Sequence, residues 1–201
     1  MKQVISILKY EYIKKIKFEP LLKEIYRLSK KVSADLPFHA TGIEKQLQEA
    51  LSDEFRIAAK SIEAVREFYA EIYYKDFPIK DYRPDFMIFP DKNWSLDKTL
   101  IVETKFGSLK ELASGREELF RYLYSAQQSS IKELRNADMG ILIWWESMGT
   151  DMPPGGSKAD RETLLDIDTA EYIPGEFKVV VELWAIEDSK RKKFKKIISL
   201  I

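Results

Sequence analysis

Two apolar segments separated by a polar turn lie in the middle of the chain, and they constrain its fold more than any other feature. Residues 82–89 and 99–107 are rich in β-branched and aromatic side chains, whereas residues 90–98 contain Pro, Asp and Asn. Runs of this composition bounded by turn residues are typical of paired strands. The sequence therefore predicts a central sheet in which a hairpin-like loop joins these two strands.

Charged side chains interrupt both predicted strands. Because side chains alternate across a strand, Glu103 and Lys105 share one face, roughly 7 Å apart along the backbone. Asp85 follows Pro84 at the start of the partner strand and can face them if the hairpin pairs in register. Two carboxylates ~4 Å apart repel each other by about 4 kcal/mol at an effective dielectric near 20, unless a cation lies between them. A Glu103–Lys105 ion pair with a turn-capping Asp85 is one interpretation, and a metal site is the other.

The motif Pro84-Asp85, followed after 17 residues by Glu103-Thr104-Lys105, resembles the signature of the PD-(D/E)XK nuclease superfamily. The resemblance covers residues 41–146. It implies an α/β protein of the restriction-endonuclease-like class, with an αβββαβ core, a mixed central sheet flanked by helices and, in this chain, an N-terminal helical extension. It also implies a nuclease that hydrolyses phosphodiester bonds of duplex or branched DNA, leaving 5′-phosphate and 3′-hydroxyl ends.

The resemblance assigns roles to individual residues. Asp85, Glu103 and Lys105 would be catalytic, with Lys105 orienting or helping to deprotonate the attacking water. The metal would be Mg²⁺, with Mn²⁺ as a possible substitute, because its expected ligands are hard oxygen atoms. Those ligands are Asp85, Glu103, the Thr104 carbonyl and Glu44. Glu44 also completes a capping box with Thr41 at a predicted helix start, so capping is a full alternative.

A long amphipathic helix is predicted after the second of these strands, ending at about Asn136. It has two possible capping boxes, Ser108-x-x-Glu111 and Ser114-x-x-Glu117. In one branch of the superfamily this helix carries Gln-x-x-x-Tyr, and here Glu118 takes the place of the Gln while Tyr122 is kept. This departure puts the branch assignment in doubt and leaves the core motif intact.

Charge is balanced overall, with 33 basic and 33 acidic residues, but it is unevenly distributed. Residues 1–33 contain nine basic and three acidic residues, and residues 189–201 contain six basic and no acidic ones. Basic ends could contact phosphates while an acidic centre holds a divalent ion. Solvated charge on surface helices and tails is the alternative. The candidate nucleic-acid contacts are Arg121, Tyr122, Gln127, Lys192 and Lys193.

The pattern divides the chain into a basic helical segment at residues 1–33, a nuclease-like core at residues 34–188 and a basic tail at residues 189–201 packed on or near the core. Helical spacing in the first segment is interrupted at Pro20. This segment could pack on the core, form a dimer contact or touch nucleic acid. Because junction resolvases and many restriction enzymes are dimers, the resemblance also favours a homodimer.

The remaining elements are predicted from local pattern. Residues 64–79 read as the end of a helix that runs into the first strand, and Met139–Trp145 as a strand buried on both faces. Residues 177–186 alternate as a further strand, and the tail is either helix or strand.

Several classes of protein are excluded or disfavoured by composition. The chain has no cysteine, which excludes a disulfide framework, a thiolate zinc site and an iron–sulfur cluster. It has no apolar run of 18 residues and no recognisable signal peptide, so we expect an intracellular, cytoplasmic protein with no membrane partner. Two other functions stay open: a catalytically inactive nucleic-acid-binding relative and a protein-interaction module.

Overall fold

The computed structural model describes residues 16–36, 43–74, 77–146, 178–190 and 192–201. It contains helices, strands and one 3₁₀ turn at Lys92–Trp94. The helices are α1 (Glu19–Asp35), α2 (Ile43–Ile57), α3 (Leu109–Ala126) and α4 (Lys132–Arg135). The strands are β1 (Ala64–Arg66), β2 (Ala70–Tyr74), β3 (Phe77–Tyr82), β4 (Phe86–Ile88), β5 (Leu100–Gly107), β6 (Met139–Glu146), β7 (Lys178–Asp188) and β8 (Lys193–Leu200).

A six-stranded mixed sheet forms the centre of the protein, in the order β1-β4-β5-β6-β7-β8. Strands β5 and β6 are parallel, and every other neighbouring pair in this sheet is antiparallel. Parallel neighbours require a long crossover, and α3 with α4 supplies it. Strands β2 and β3 form a separate two-stranded hairpin. The predicted α/β class with a mixed sheet flanked by helices is confirmed.

Helices cover both faces of the sheet, which explains why its central strands are so apolar. Residues Gly140–Trp145 of β6 are all buried, which confirms the predicted strand and is typical of strands covered on both sides. Helices α1 and α2 cover one face, and α3 covers the other. The helix side chains buried in these two layers are Leu21, Leu22, Ile25, Leu28, Val32, Leu47, Leu51 and Phe55 on the first face, and Leu112, Leu119, Leu123, Ala126 and Leu134 on the second.

The N-terminal helix is an integral part of the core. Helix α1 begins at Glu19 with Pro20 in its first turn, where the missing amide of proline costs no hydrogen bond. The Trp145 indole of β6 donates to the Ser29 carbonyl of this helix at 3.1 Å. Of the three roles considered for the segment, packing on the core is the one observed for residues 19–35, and residues 1–15 lie outside the described residues.

The predicted helix within residues 64–79 is wrong. Residues 64–66 form β1, which pairs antiparallel with β4, and β2 and the beginning of β3 follow. The segment is rich in β-branched and aromatic residues, which favour strands when a partner is present. Pairing with β4 is a long-range contact that local spacing cannot reveal.

The predicted helix ending at Asn136 is also corrected, because it is divided into two. Helix α3 ends at Ala126, and the short α4 follows a turn in which the Ser129 hydroxyl accepts a hydrogen bond from the Ile131 amide at 3.1 Å. Serine favours such turns because its side chain competes with the helical backbone bonds. At the other end, the Ser108 box caps α3, whereas Ser114 lies inside the helix.

Two strands complete the sheet at its C-terminal side. The predicted strand at residues 177–186 is confirmed as β7, and the basic tail forms the edge strand β8. Lys193, Lys195 and Lys196 project from this strand. Charged residues on an edge strand discourage pairing with other chains. Protection of this edge is therefore a sufficient reason for the basic residues of the tail, and nucleic-acid binding is not needed to explain them.

Two glycines allow α3 to approach the sheet closely. A Cβ atom at Gly115 would lie 2.6 Å from Lys105 Cγ, and one at Gly140 would lie 2.6 Å from Leu119 Cδ1. Neither contact is tolerable without movement. The absence of a side chain at these positions therefore sets how near α3 lies to β5 and β6.

We predict that Gly140→Ala lowers the free energy of unfolding by about 1–3 kcal/mol, because the added methyl group overpacks this contact. Urea denaturation measures the change. Leu119→Ala alone costs about 2–5 kcal/mol, and it should cost less in the Gly140→Ala background because the clash is relieved. Equal costs in the two backgrounds would contradict this packing account.

Candidate functional site

The candidate site forms where β5 continues beyond its short neighbour β4. Strand β4 pairs only with residues Leu100–Val102, so residues 103–107 of β5 have no partner strand on that side within the described chain. Backbone amides left in such a position require other acceptors. The Asp85 carboxylate accepts hydrogen bonds from the Thr104 amide and hydroxyl, both at 2.7 Å, and Glu44 of α2 accepts one from the Phe106 amide at 3.0 Å. The need of these backbone amides for acceptors thus brings two acidic side chains to β5.

Glu103 and Lys105 project from β5 towards α3, on the face predicted from the alternation. The Lys105 ammonium lies 2.8 Å from Glu103 Oε1, 3.1 Å from Glu118 Oε2 of α3 and 3.8 Å from Glu44 Oε1. Asp85 precedes Phe86, which pairs with Val102, so continued register places Asp85 beside Glu103. We call Glu44, Asp85, Glu103, Lys105 and Glu118 the acidic cluster. It contains four carboxyl groups and one cation.

The acidic cluster has a buried base and a rim that reaches solvent. Glu103 is 2% exposed, and the side chain of Lys105 is 16% exposed. The side chains of Glu44 and Glu118 are 37% and 27% exposed. The carboxyl groups of Glu44 and Glu118 therefore form the part of the acidic cluster that solvent reaches, and Glu103 lies beneath them.

Burial and mutual repulsion shift the pKa values of these groups. Burial raises the pKa of Glu103 well above its usual value, the Asp85 charge and a hydrogen bond with Glu118 raise it further, and Lys105 opposes the rise. Burial also raises the pKa of Asp85, although the bonds from Thr104 oppose it. Burial would lower the pKa of Lys105, but the charge of Glu103 and the hydrogen bonds to its acidic neighbours raise it overall. The ammonium is therefore firmly protonated.

One atom of the acidic cluster has no hydrogen-bond donor. Glu103 Oε2 is buried and has no hydrogen-bond partner among the described residues. A buried carboxylate oxygen without a donor is costly unless it carries a proton or binds a cation. This oxygen is consequently the position in the acidic cluster that lacks a donor or a cation.

A second buried glutamate provides a comparison on the same face of the sheet. Glu182 of β7 is also 2% exposed, but it accepts two hydrogen bonds from Arg116 at 2.8 and 2.6 Å, one from Trp184 and one from Lys196. Burial raises the pKa of Glu182, but these bonds outweigh it and lower the pKa overall. Glu182 is thus satisfied within the protein, whereas Glu103 is not.

The donor set fits a magnesium ion in chemistry. Asp85, Glu103 and Glu44 offer carboxylate oxygens, and the Thr104 carbonyl points to the same open edge as its amide, because both groups of one residue lie on one side of a strand. In the described part of the chain, no three acidic or histidine side chains are already gathered as a metal ion requires. The Lys105 ammonium takes the place between the carboxylates, so ion binding requires Glu103 to turn away from it.

Two residues that the sequence analysis did not assign to the site belong to it. Glu118 contacts Lys105 directly, and Gln48 of α2 donates to the Thr104 hydroxyl at 2.9 Å. Their signal was helical spacing, since Glu118 lies one turn before Tyr122 and Gln48 one turn after Glu44. For Glu44 itself, the observed contacts are with β5, and Thr41 lies outside the described residues.

The predicted nucleic-acid contacts are scattered. Tyr122 lies beside the acidic cluster: its hydroxyl donates to the Arg83 carbonyl at 3.2 Å, and burial together with the charges of Glu103, Glu118 and Asp85 raises its pKa to about 12. Arg121 is exposed on α3, and Gln127 is the half-buried C-cap of that helix.

Lys192 and Lys193 lie far from the acidic cluster. Lys192 lies in the β7–β8 turn and Lys193 begins β8, which is three strands, or about 14 Å, from β5. The strand registers also place them at the Leu100 end of β5, opposite to Lys105. Lys192 lies over the Tyr124 ring at 4.5 Å, and Lys193 pairs with Glu187 at 2.5 Å.

Comparisons of this chain with family models, with curated proteins and with solved structures found no match. Among the described residues, no helix combines the length and the apolar character needed to cross a bilayer. Any assignment of function therefore depends on the motif and on the geometry of the acidic cluster.

We predict that Glu103→Gln stabilises the protein in EDTA above the usual carboxyl pKa. The pKa of Glu103 is higher in the folded protein than in the unfolded chain, so the folded protein binds more protons between these two pKa values. The free energy of unfolding therefore falls as pH rises from the unfolded-state pKa to the folded-state pKa. The gain in the free energy of unfolding should grow as pH rises above the usual carboxyl pKa, and it should vanish near pH 4. Urea denaturation at several pH values measures it.

Glu182→Gln is the matched control and should behave oppositely. Because the pKa of Glu182 is lowered, its stabilisation is present above the usual carboxyl pKa and is lost as pH falls through the folded value. Its replacement should cost about 1–3 kcal/mol at pH 7. If both glutamine variants lose stability at pH 8, the inferred contrast between the raised pKa of Glu103 and the lowered pKa of Glu182 is wrong.

Proposed function

We propose that this protein is a divalent-metal-dependent nuclease of the PD-(D/E)XK type that hydrolyses phosphodiester bonds in DNA. The observation that carries the proposal is the orphan oxygen of Glu103 in a cluster that joins Asp85, Glu103 and Lys105 on one patch of sheet. When the separate β2–β3 hairpin and the short α4 are left out, the chain order α2, β1, β4, β5, α3, β6 corresponds to the αβββαβ core expected for this superfamily, which supports the proposal.

Asp85, Glu103, the Thr104 carbonyl and Glu44 would hold Mg²⁺ or Mn²⁺. When bound, the ion supplies Lewis-acid chemistry: it activates water and neutralises charge that develops on the attacked phosphate. At this position the Glu103 oxygen that has no donor would gain a positive charge beside it. The buried acids would therefore favour ion binding, and a bound ion would offset the cost of burying these acids.

Lys105 acts as a cation in this mechanism. Because its pKa is raised, it is a poor base at neutral pH and a good donor to the attacking water and to the phosphate oxygens. Glu118 holds its ammonium group in place when Glu103 turns towards the ion. Of the two roles predicted for Lys105, orientation with charge stabilisation is favoured over deprotonation.

DNA as the substrate and a homodimer as the active form are parts of the proposal that follow from the resemblance. An inactive relative would have no need for Glu103 Oε2 to be buried without a hydrogen-bond donor, since an unsatisfied buried oxygen lowers stability. This cost favours the enzyme over a binding protein or an interaction module.

We predict that the purified protein cuts DNA in Mg²⁺ or Mn²⁺ and not in EDTA. Asp85→Asn, Glu103→Gln and Lys105→Met should each reduce the cleavage rate by about 100-fold or more, because each removes a ligand or the cation that acts in the transition state. The rate is measured under single-turnover conditions on labelled single-stranded, duplex and branched DNA.

Glu117→Gln and Lys110→Met are the matched controls, since both residues are exposed on α3 outside the acidic cluster. They should cleave like the parent. Cleavage by all three site variants at the parental rate would overturn the proposed site. Tight DNA binding without cleavage in any metal would favour the inactive relative.

A further inference from the structure

Tyr69 is an exposed aromatic residue beside the acidic cluster. It is 49% exposed, which makes it a widely exposed aromatic side chain. The Arg83 guanidinium lies over its ring, 5.3 Å from the centroid. Arg83 is itself exposed and stands two residues before Asp85. An aromatic ring and a cation thus form one surface next to the proposed catalytic carboxylate.

The loop that carries Tyr69 is fixed against the site. The Glu67 amide donates to the Asp85 carbonyl at 3.1 Å, and Tyr122 donates to the Arg83 carbonyl. Phe68 turns inward and packs edge-on against Phe89 at 5.9 Å, joining the apolar cluster beneath α3. The position of Tyr69 is therefore coupled to that of Asp85.

Glu67 supports this interpretation through its backbone. Its φ is 47°, in the left-handed region that non-glycine residues rarely adopt. Such conformations persist where surrounding contacts impose them, and they are concentrated near functional sites. Here the hydrogen bond to Asp85 and the packing of Phe68 impose the turn that directs Tyr69 to solvent.

A nuclease with this acidic cluster needs attractive contacts for its substrate. Carboxyl groups outnumber cations in the acidic cluster, so it repels phosphates until a metal binds. Arg83 offers a cation for a neighbouring phosphate, and a nucleobase can stack on the Tyr69 ring or on the guanidinium plane. In an intact duplex each base is covered by its neighbours, so only an unpaired nucleotide can use the ring.

We propose that Tyr69 and Arg83 bind an unpaired nucleotide that flanks the scissile phosphate. The substrate class is then DNA with a single-stranded segment at the cleavage point, such as a free strand, a flap or a frayed end. This inference rests on the proposed nuclease function, and it adds a substrate-binding site made by residues outside the acidic cluster.

Binding of a labelled oligothymidylate to the full-length chain tests the proposal. Fluorescence anisotropy is measured in Mg²⁺ with Lys105→Met as the common background, so that cleavage does not interfere. Tyr69→Ala should weaken binding of an oligomer of about 20 nucleotides roughly tenfold, the contribution of one base–aromatic stack. Tyr69→Phe should retain it. Binding of a duplex of the same length should change by less than about twofold.

Two variants serve as controls. Ile57→Ala removes another widely exposed apolar side chain, and Lys60→Gln removes a cation that lies 3.9 Å over the Trp94 ring. Both should bind like the common background, whereas Arg83→Gln should weaken binding and reduce its dependence on salt. Oligothymidylate binding that is unchanged by Tyr69→Ala, or a duplex affinity that falls equally, overturns the proposal.

Cleavage by the parent protein separates this inference from the function on which it rests. If Asp85→Asn abolishes cleavage while Tyr69→Ala binds like its background, the nuclease stands and the stacking site is wrong. If the parent does not cleave although Tyr69→Ala weakens binding, the nuclease is wrong and Tyr69 with Arg83 remains a nucleotide-binding site.

Discussion

The difference in length between β4 and β5 determines the chemistry of this protein. Strand β5 extends past β4 inside the fold, where its free amides cannot be left without acceptors. Asp85 and Glu44 provide those acceptors. The hydrogen bonds that satisfy the free amides therefore also place two carboxylates beside Glu103 and Lys105. A longer β4 would satisfy the amides with ordinary strand pairing, and the acidic cluster would not form.

The comparison of Glu103 with Glu182 shows what the acidic cluster lacks. Both residues are equally buried on the same face of the sheet, and α3 supplies a partner to each, Glu118 near the first and Arg116 to the second. Arg116 and Lys196 neutralise Glu182, whereas Lys105 is shared among several acids. A buried acid that is only partly compensated lowers the stability of the protein. Such a loss of stability is a common feature of functional sites.

The sequence predicts the sheet, the strand β6 and the face shared by Glu103 and Lys105, because these follow from the alternation of side chains and from apolar runs. It failed for residues 64–79, since the pairing of β1 with β4 depends on contacts distant in the chain, and for the end of α3, where Ser129 interrupts a helical pattern. It noted Glu118 only as a departure from a motif. Its contact with Lys105 depends on the close approach of α3 at Gly115, which no local pattern encodes.

The central claim is that the acidic cluster exists to hold a divalent cation, and calorimetric titration of the metal-free protein with Mn²⁺ tests it most directly. We expect a single ion to bind, with release of protons because burial raises the pKa of Glu103 in the metal-free protein. Binding should be lost in Asp85→Asn and Glu103→Gln and kept in Glu182→Gln. No binding to the parent protein, or equal binding to all three variants, would contradict the account.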